Sequence, residues 1–247
     1  MKQSIIIAIT AVAVSTAFAG CEKEDKDAIE MSILKKGIQT FEAADGKQYE
    51  VVDLGFSGAG LLWATCNLGA DSPEQFGDYF AWGETEAKTT FTYDNYKWMN
   101  GANSFKKYCL KKEERDLRKD TVDNKRILDL TDDAVRAKLG DKWRMPSTED
   151  YKELFDRCDW RCCKLNNVWG YLFKSKENGN SIFLPIAGFT DESDNFFIGK
   201  RGRYWTTSLS SNSTTEAVYV SLDKPVNPVT RTDERYLGFS IRPVRAK

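Results

Sequence analysis

Asn178-Gly179 sits between two runs, 168–175 and 181–189, that are rich in aromatic and aliphatic residues. An Asn-Gly pair in that position is the strongest short-range signal for a β-hairpin, because both residues accept the positive φ of a tight turn. The chain is therefore expected to be built on antiparallel strands. Runs at 203–209, 216–222 and 238–244, each bounded by Ser, Asn, Pro or charged clusters, extend the pattern. Nearer the N-terminus, 48–54 and 61–66 read as strands, with turns at Ala44-Asp45-Gly46 and Ser57-Gly58-Ala59-Gly60. The run 239–244 is expected to pair with an early strand and bring the ends together.

Helical signals are fewer. A short helix is expected over 28–36. Thr131 is placed to cap 132–139, with Asp132 and Asp133 in the first turn and Gly140 as the stop. A second helix follows Pro146, with Ser147 as its N-cap and Asp150 three residues on, close to a capping box. Tyr151, Leu154, Phe155 and Cys158 then share one apolar face. Strands, two helices and more antiparallel strands predict an α+β domain over 47–247, preceded by a tether at 21–46.

Residues 73–108 show little regular pattern yet hold ten aromatic rings, from Phe76 to Tyr108. A long structured loop packed by rings is expected there. Residues 111–125 are highly charged and read as an exposed insertion.

The N-terminus reads as a removable leader. One cation, Lys2, precedes a largely apolar stretch to Ala19, and Phe18-Ala19-Gly20-Cys21 closes it with small residues before a cysteine. This resembles a bacterial lipoprotein signal, with 1–20 removed and Cys21 lipidated. The alternative is an ordinary secreted protein cut near Ala19. Glu22-Lys23-Glu24-Asp25-Lys26-Asp27 follows as a charged spacer. An acidic run after the lipidated cysteine resembles the surface-export signal of Bacteroidota lipoproteins. That implies an outer-membrane protein, lipid-anchored and facing the medium; a plain spacer would leave it facing the periplasm.

Without the leader, 35 basic residues stand against 37 acidic ones. No basic stripe argues for nucleic acid. The chain has no histidine, which excludes Ser-His-Asp and Cys-His catalysis and histidine-ligated zinc. Cys66, Cys109, Cys158, Cys162 and Cys163 remain, an odd number whose pairing the sequence leaves open. Cys158-x3-Cys162-Cys163 lacks the second pair of a structural zinc site, and reads as a partly buried helix end with reduced thiols.

Seven collinear motifs carry a family resemblance. They are Val52-Asp53-Leu54-Gly55, Trp63-Ala64-Thr65-Cys66-Asn67-Leu68-Gly69-Ala70, Gly77-Asp78-Tyr79-Phe80-Ala81-Trp82-Gly83-Glu84-Thr85, Trp143-Arg144-Met145-Pro146-Ser147, Phe183-Leu184-Pro185-Ile186-Ala187-Gly188, Tyr204-Trp205-Thr206-Thr207-Ser208 and Ile241-Arg242-Pro243-Val244. Their order resembles the Fibrobacter succinogenes major paralogous domain. The resemblance covers roughly 47–245 and implies a C-type-lectin-like fold, shared with formylglycine-generating enzymes. It implies fold more strongly than activity. Trp63, Trp82, Trp143 and Trp205 read as core, and Gly77, Gly83, Gly170 and Gly188 as backbone turns.

In folds of that type the ligand face is built near the late strands. The corresponding ligand-binding candidates are Asp191, Asp194, Asn195, Phe196 and Phe197, with Tyr204, Tyr219, Arg231, Arg235 and Tyr236. Carboxylates and amides suit hydroxyl groups, and the rings suit sugar faces or a protein partner. The same segment offers too few oxygens for calcium, which wants six to eight. The expected function is a non-catalytic binding or adhesion module for a glycan or protein, with no cofactor and no metal. Two alternatives remain: a structural component of a surface appendage or uptake assembly, and a carboxylate hydrolase using Glu84 and Glu86. The cysteine site of the formylglycine enzymes is not carried over, since every cysteine precedes residue 164.

Overall fold

The computed structural model describes residues 27–56, 60–100, 104–110 and 122–247. The leader, Cys21, the acidic run up to Lys26, residues 57–59 of one turn and 111–121 of the charged insertion lie outside the described residues. The protein is mostly β-sheet with two α-helices, an α+β architecture.

A five-stranded sheet carries the early strands and the C-terminus. Its members are β2 (Ile38–Glu42), β3 (Gln48–Asp53), β4 (Leu61–Ala64), β5 (Trp143–Arg144) and β14 (Val244–Ala246), in the order β2-β3-β4-β14-β5. Val244 pairs with Trp63 on one side and Arg144 on the other, so the chain's end does return to an early strand. The expected strand over 238–244 is shorter than predicted. Gly238, Phe239 and Ser240 make only isolated bridges, to Thr190, Phe80 and Tyr204, and Pro243, with no N–H to give a ladder, precedes β14.

The second sheet is β1 (Ala28–Ile29), β6 (Cys158–Leu165), β7 (Val168–Ser175) and β8 (Ser181–Pro185), in the order β1-β6-β7-β8. The Asn178-Gly179 hairpin joins β7 to β8 as expected. Two readings are corrected here. Residues 28–36 form β1 and a 3-10 turn at Met31–Leu34, because Ala28 and Ile29 find a free edge on β6. Cys158 does sit at a helix end, as the residue that closes the helix over 148–157 and opens β6, but Cys162 and Cys163 lie within β6: Asn166 and Asn167 both take positive φ (47° and 65°), which closes a tight hairpin to β7.

The third sheet is β11 (Arg201–Leu209), β12 (Glu216–Asp223) and β13 (Val229–Glu234). Sequence reading missed β13, whose exposed, polar residues carry no apolar alternation. A small hairpin, β9 (Phe189–Asp191) and β10 (Asp194–Phe196), stands beside it.

Helix α1 is Ala134–Leu139 and α2 is Thr148–Arg157. The cap of α1 is Asp133, not Thr131: its carboxylate accepts from the N–H groups of Val135 and Arg136, while 130–132 form a 3-10 turn. The capping box of α2 is complete, with Ser147 and Asp150 each accepting from the other's backbone N–H.

Trp63, Trp82, Trp143 and Trp205 are all buried, as expected. Each removes about 150–250 Å² from water, worth roughly 4–6 kcal/mol. Trp205 stacks on Phe239 at 4.0 Å, and Trp63 meets Tyr151 edge-on at 5.3 Å. The irregular 73–108 region is pinned by the same chemistry: Tyr96 donates to the Trp82 carbonyl at 2.7 Å and Trp98 to that of Gly83 at 2.9 Å. Gly77, Gly83 and Gly188 hold positive φ. Gly170 does not; it lies inside β7, where an added Cβ would sit 2.2 Å from the Phe183 ring.

Candidate functional site

The β9–β10 hairpin carries four of the ten candidates, Asp191, Asp194, Asn195 and Phe196, and Phe197 follows it directly. Phe189 pairs with Phe196, Thr190 with Asn195 and Asp191 with Asp194, leaving Glu192-Ser193 at the tip. The tip is stapled to an irregular loop: Phe91 N–H donates to Glu192 O at 2.7 Å, and the return bond is 2.9 Å. Gly238 makes room, since a Cβ there would meet the Phe91 ring at 2.6 Å.

At this tip lies a cleft of about 160 Å³, lined by Phe91, Thr92, Tyr93, Asp191, Glu192 and Tyr236. Tyr93 is exposed and stacks obliquely on Tyr236 at 4.2 Å. Burial, then the carboxylates of Asp191 and Glu234, push the Tyr236 phenol up to about 12. Burial, then Glu234, also raise Tyr93. Both phenols are thus neutral donors at ordinary pH. Burial raises the Glu234 carboxyl above its usual value, although the Tyr93 phenol beside it favours the charged form. The cleft therefore offers two ring faces, phenol donors and carboxylate acceptors within one small concavity.

The other candidates divide. Asn195 is exposed and accepts from the Thr190 hydroxyl at 2.6 Å; Asp194 is exposed. Phe196 and Phe197 lie at the opposite end of the hairpin, stacked on Phe189 at 5.6 and 5.9 Å. Arg231 is exposed on β13 opposite Tyr219. Three residues are core, not surface contacts. Tyr204 is fully buried between an Asn67 donor and the Pro185 carbonyl. Arg235 is fully buried and donates to Tyr96 Oη and to the carbonyls of Tyr108, Thr214 and Lys107. Tyr219 is buried edge-on against Phe239 at 5.1 Å. The alternation of β11 and β12 turns Tyr204 inward, and no local sequence signal separates an interior arginine from a surface one.

Glu192 lies within the 190–197 segment that the sequence marks as a ligand face, whereas Tyr93, Glu234 and Arg203 are not singled out from the sequence as contacts. Tyr93 was one ring among ten. Arg203 lies over the Phe189 ring at 3.8 Å and pairs with Asp233.

Elsewhere, a cleft of about 340 Å³ is lined by Met31, Leu34, Ile38, Ile182 and Phe183 among others. It is a mainly apolar seam where the N-terminal segment lies on the sheets. Glu84 is buried, paired with Lys88 at 2.8 Å, and accepts from Lys97 N–H; Glu86 pairs with Lys138 at 3.0 Å. Each is engaged by a different lysine. The five cysteines form no disulfide, and burial raises the thiols of Cys66, Cys162 and Cys163, and that of Cys158 to about 12. Such thiols stay protonated and poorly nucleophilic. Among the described residues no group of three or more Cys, Asp or Glu side chains is placed to hold a metal ion.

No protein-family model, no curated protein and no solved structure matches this chain.

Proposed function

We propose that this protein is a lipid-anchored module of the outer membrane that binds an extracellular glycan or protein ligand without transforming it. In this reading the fold is C-type-lectin-like, of the Fibrobacter major paralogous type, and Cys21 carries the anchor. The observation that carries the binding reading is the Tyr93–Tyr236 platform beside Asp191 and Glu192. Ring faces with adjacent carboxylates and neutral phenols suit the apolar faces and hydroxyls of a sugar ring. The fit is to one residue of a longer chain, given the cleft's size. Buried, protonated thiols and lysine-engaged Glu84 and Glu86 support a role without a catalytic step.

The test is a glycan and host-protein array probed with the polypeptide starting at Glu22, which keeps every described residue. A ligand whose binding falls at least tenfold in Tyr93→Ala/Tyr236→Ala is the expected result. A ligand indifferent to both tyrosines would move the site. A fixed neighbour cross-linked on intact cells, with no array ligand, would favour the structural-component reading. Mass spectrometry of the native protein tests the anchor separately, through the mass at Cys21.

A further inference from the structure

We propose that the face built from the Phe196–Arg201 turn and the Lys224–Arg231 segment docks on an anionic lipid bilayer. The proposal rests on the anchoring read at Cys21 for which membrane is in reach, but not for the docking chemistry itself.

Nine large apolar side chains are exposed among the described residues, and five of them fall on these two segments: Phe196, Phe197, Ile198, Val226 and Val229. The fold brings the segments together. Lys224 N–H donates to the Lys200 carbonyl at 2.9 Å, and Arg201 pairs with Asp223 across β11 and β12. Phe197 holds a left-handed backbone (φ 57°), costly for a bulky residue, and its carbonyl accepts from the N–H groups of Lys200 and Arg201. The ring is 45 % exposed, with Phe189 stacked on it at 5.9 Å and the Arg201 guanidinium over it at 4.5 Å.

The charge is one-sided. Residues 195–203 and 224–232 contain Lys200, Arg201, Arg203, Lys224 and Arg231 and no Asp or Glu. Arg203 is matched by Asp233, but Lys200, Arg201, Lys224 and Arg231 are exposed. Three acids border these windows: Asp194 is exposed, while Asp223, cross-strand from Arg201, and Asp233 are half-buried. Apolar side chains ringed by cations are the composition of an interfacial membrane contact.

The anchor enters beside this face. Ala28 pairs with Lys164, which pairs with Trp169. Lys224 Nζ lies 3.0 Å from the centre of the Trp169 ring, and a Cβ on Gly199 would meet that ring at 3.9 Å. Chain entry and patch are thus separated by two strand spacings, roughly 10 Å. Five residues separate Cys21 from Asp27, six steps that span at most about 20 Å of extended chain. A tether that short raises the local concentration of bilayer enough for a weak contact to hold. The hairpin tip with Tyr93 and Tyr236 lies at the opposite end of β9–β10 from Phe196.

The test is co-sedimentation of the unlipidated polypeptide from Glu22 with phosphatidylcholine vesicles, with and without about one-third phosphatidylglycerol. Binding is expected only with phosphatidylglycerol, weakening with salt. Lys200→Glu/Arg201→Glu is expected to weaken it at least twentyfold, since each surface cation contributes about fivefold. Phe197→Ser/Ile198→Ser is expected to weaken it about tenfold, and Lys47→Glu/Lys142→Glu not at all. Near-ultraviolet circular dichroism checks that each variant stays folded. No binding by folded wild type, or binding indifferent to Phe197 and Ile198, overturns the proposal. So does a solution dimer that Phe197→Ser dissociates, or capture of an acidic polysaccharide without vesicle binding. None of these outcomes bears on the tyrosine cleft or on the mass at Cys21.

Discussion

Arg242 Nε donates to Asn67 Oδ1 across 3.0 Å at a site where both side chains are buried. Nη1 donates to the carbonyls of Ala64 and Thr65, and Nη2 to that of Phe183. One residue thus ties the end of β4 to β8. Its charge is met by neutral dipoles, and burial pulls its pKa down without discharging it. Arg242→Ala would take this donor from three carbonyls and from the Asn67 amide oxygen in the interior, at a cost of about 3–5 kcal/mol. Urea unfolding would show it as a shift in midpoint at unchanged slope; a loss below about 1 kcal/mol would contradict this account.

The capping box of α2 is reinforced from outside the helix. Asp150 accepts from Arg144 at 2.6 and 3.1 Å as well as from Ser147 N–H at 2.7 Å. Ser147→Ala should cost about 1 kcal/mol. Asp150→Ala should cost more, about 2–3 kcal/mol, because it also strands Arg144 and the Ser147 N–H. Equal losses in thermal unfolding of the two variants would show that the arginine link contributes nothing.

Gly170 is held by contact, not by a turn. A Cβ at this position meets Phe183 Cζ at 2.2 Å and the Leu184 carbonyl at 2.6 Å. Gly170→Ala should destabilise by about 2–3 kcal/mol through overpacking. Phe183→Leu in the same chain should return part of that loss by removing the ring. If the double variant is no more stable than the sum of the single losses predicts, the ring is not the obstacle.

What was legible in the sequence was chemistry that acts within a few residues. Ser147 with Asp150 and Asn178 with Gly179 each fix a local geometry that neighbouring residues report. The four tryptophans were legible as core because their size leaves little else. The fate of Cys158–Leu165 was not, since it turns on Asn166 and Asn167 taking positive φ and on β7 accepting a partner. Arg235 and Tyr204 were misplaced for a related reason: their partners, Tyr96, Thr214, Asn67 and Pro185, are mostly far along the chain. Tyr93 and Tyr236 are 143 residues apart in numbering and meet only because Thr190 bridges Gly238 while Phe91 bridges Glu192.

The segment around Tyr108 is fastened by ionisable groups, which sets a pH dependence. Lys107 reaches Asp129 at 2.5 Å and Asp132 at 2.6 Å, and Lys125 also reaches Asp129. Hydrogen bonds from Lys107 and then Lys125 hold the Asp129 carboxyl below its usual value. Burial opposes the charge on Lys107, but its bonds to Asp129 and Asp132 outweigh that and raise its pKa. For Asp129, the folded value lies below the unfolded one. Its contribution is therefore complete above about pH 4 and is lost as pH falls through the lower, folded value. For Lys107 the folded value is the higher, so its contribution is present below about pH 10 and is lost as pH rises through the folded value. The pairs are partly exposed, so the whole effect at Asp129 is about 1 kcal/mol or less. Asp129→Asn should accordingly cost that amount near neutrality and progressively less as the pH falls below about 4, measured as the difference in unfolding free energy from wild type. A difference that stays constant from pH 7 to pH 2 would show that Asp129 acts through its shape and hydrogen-bonding alone, not through its charge.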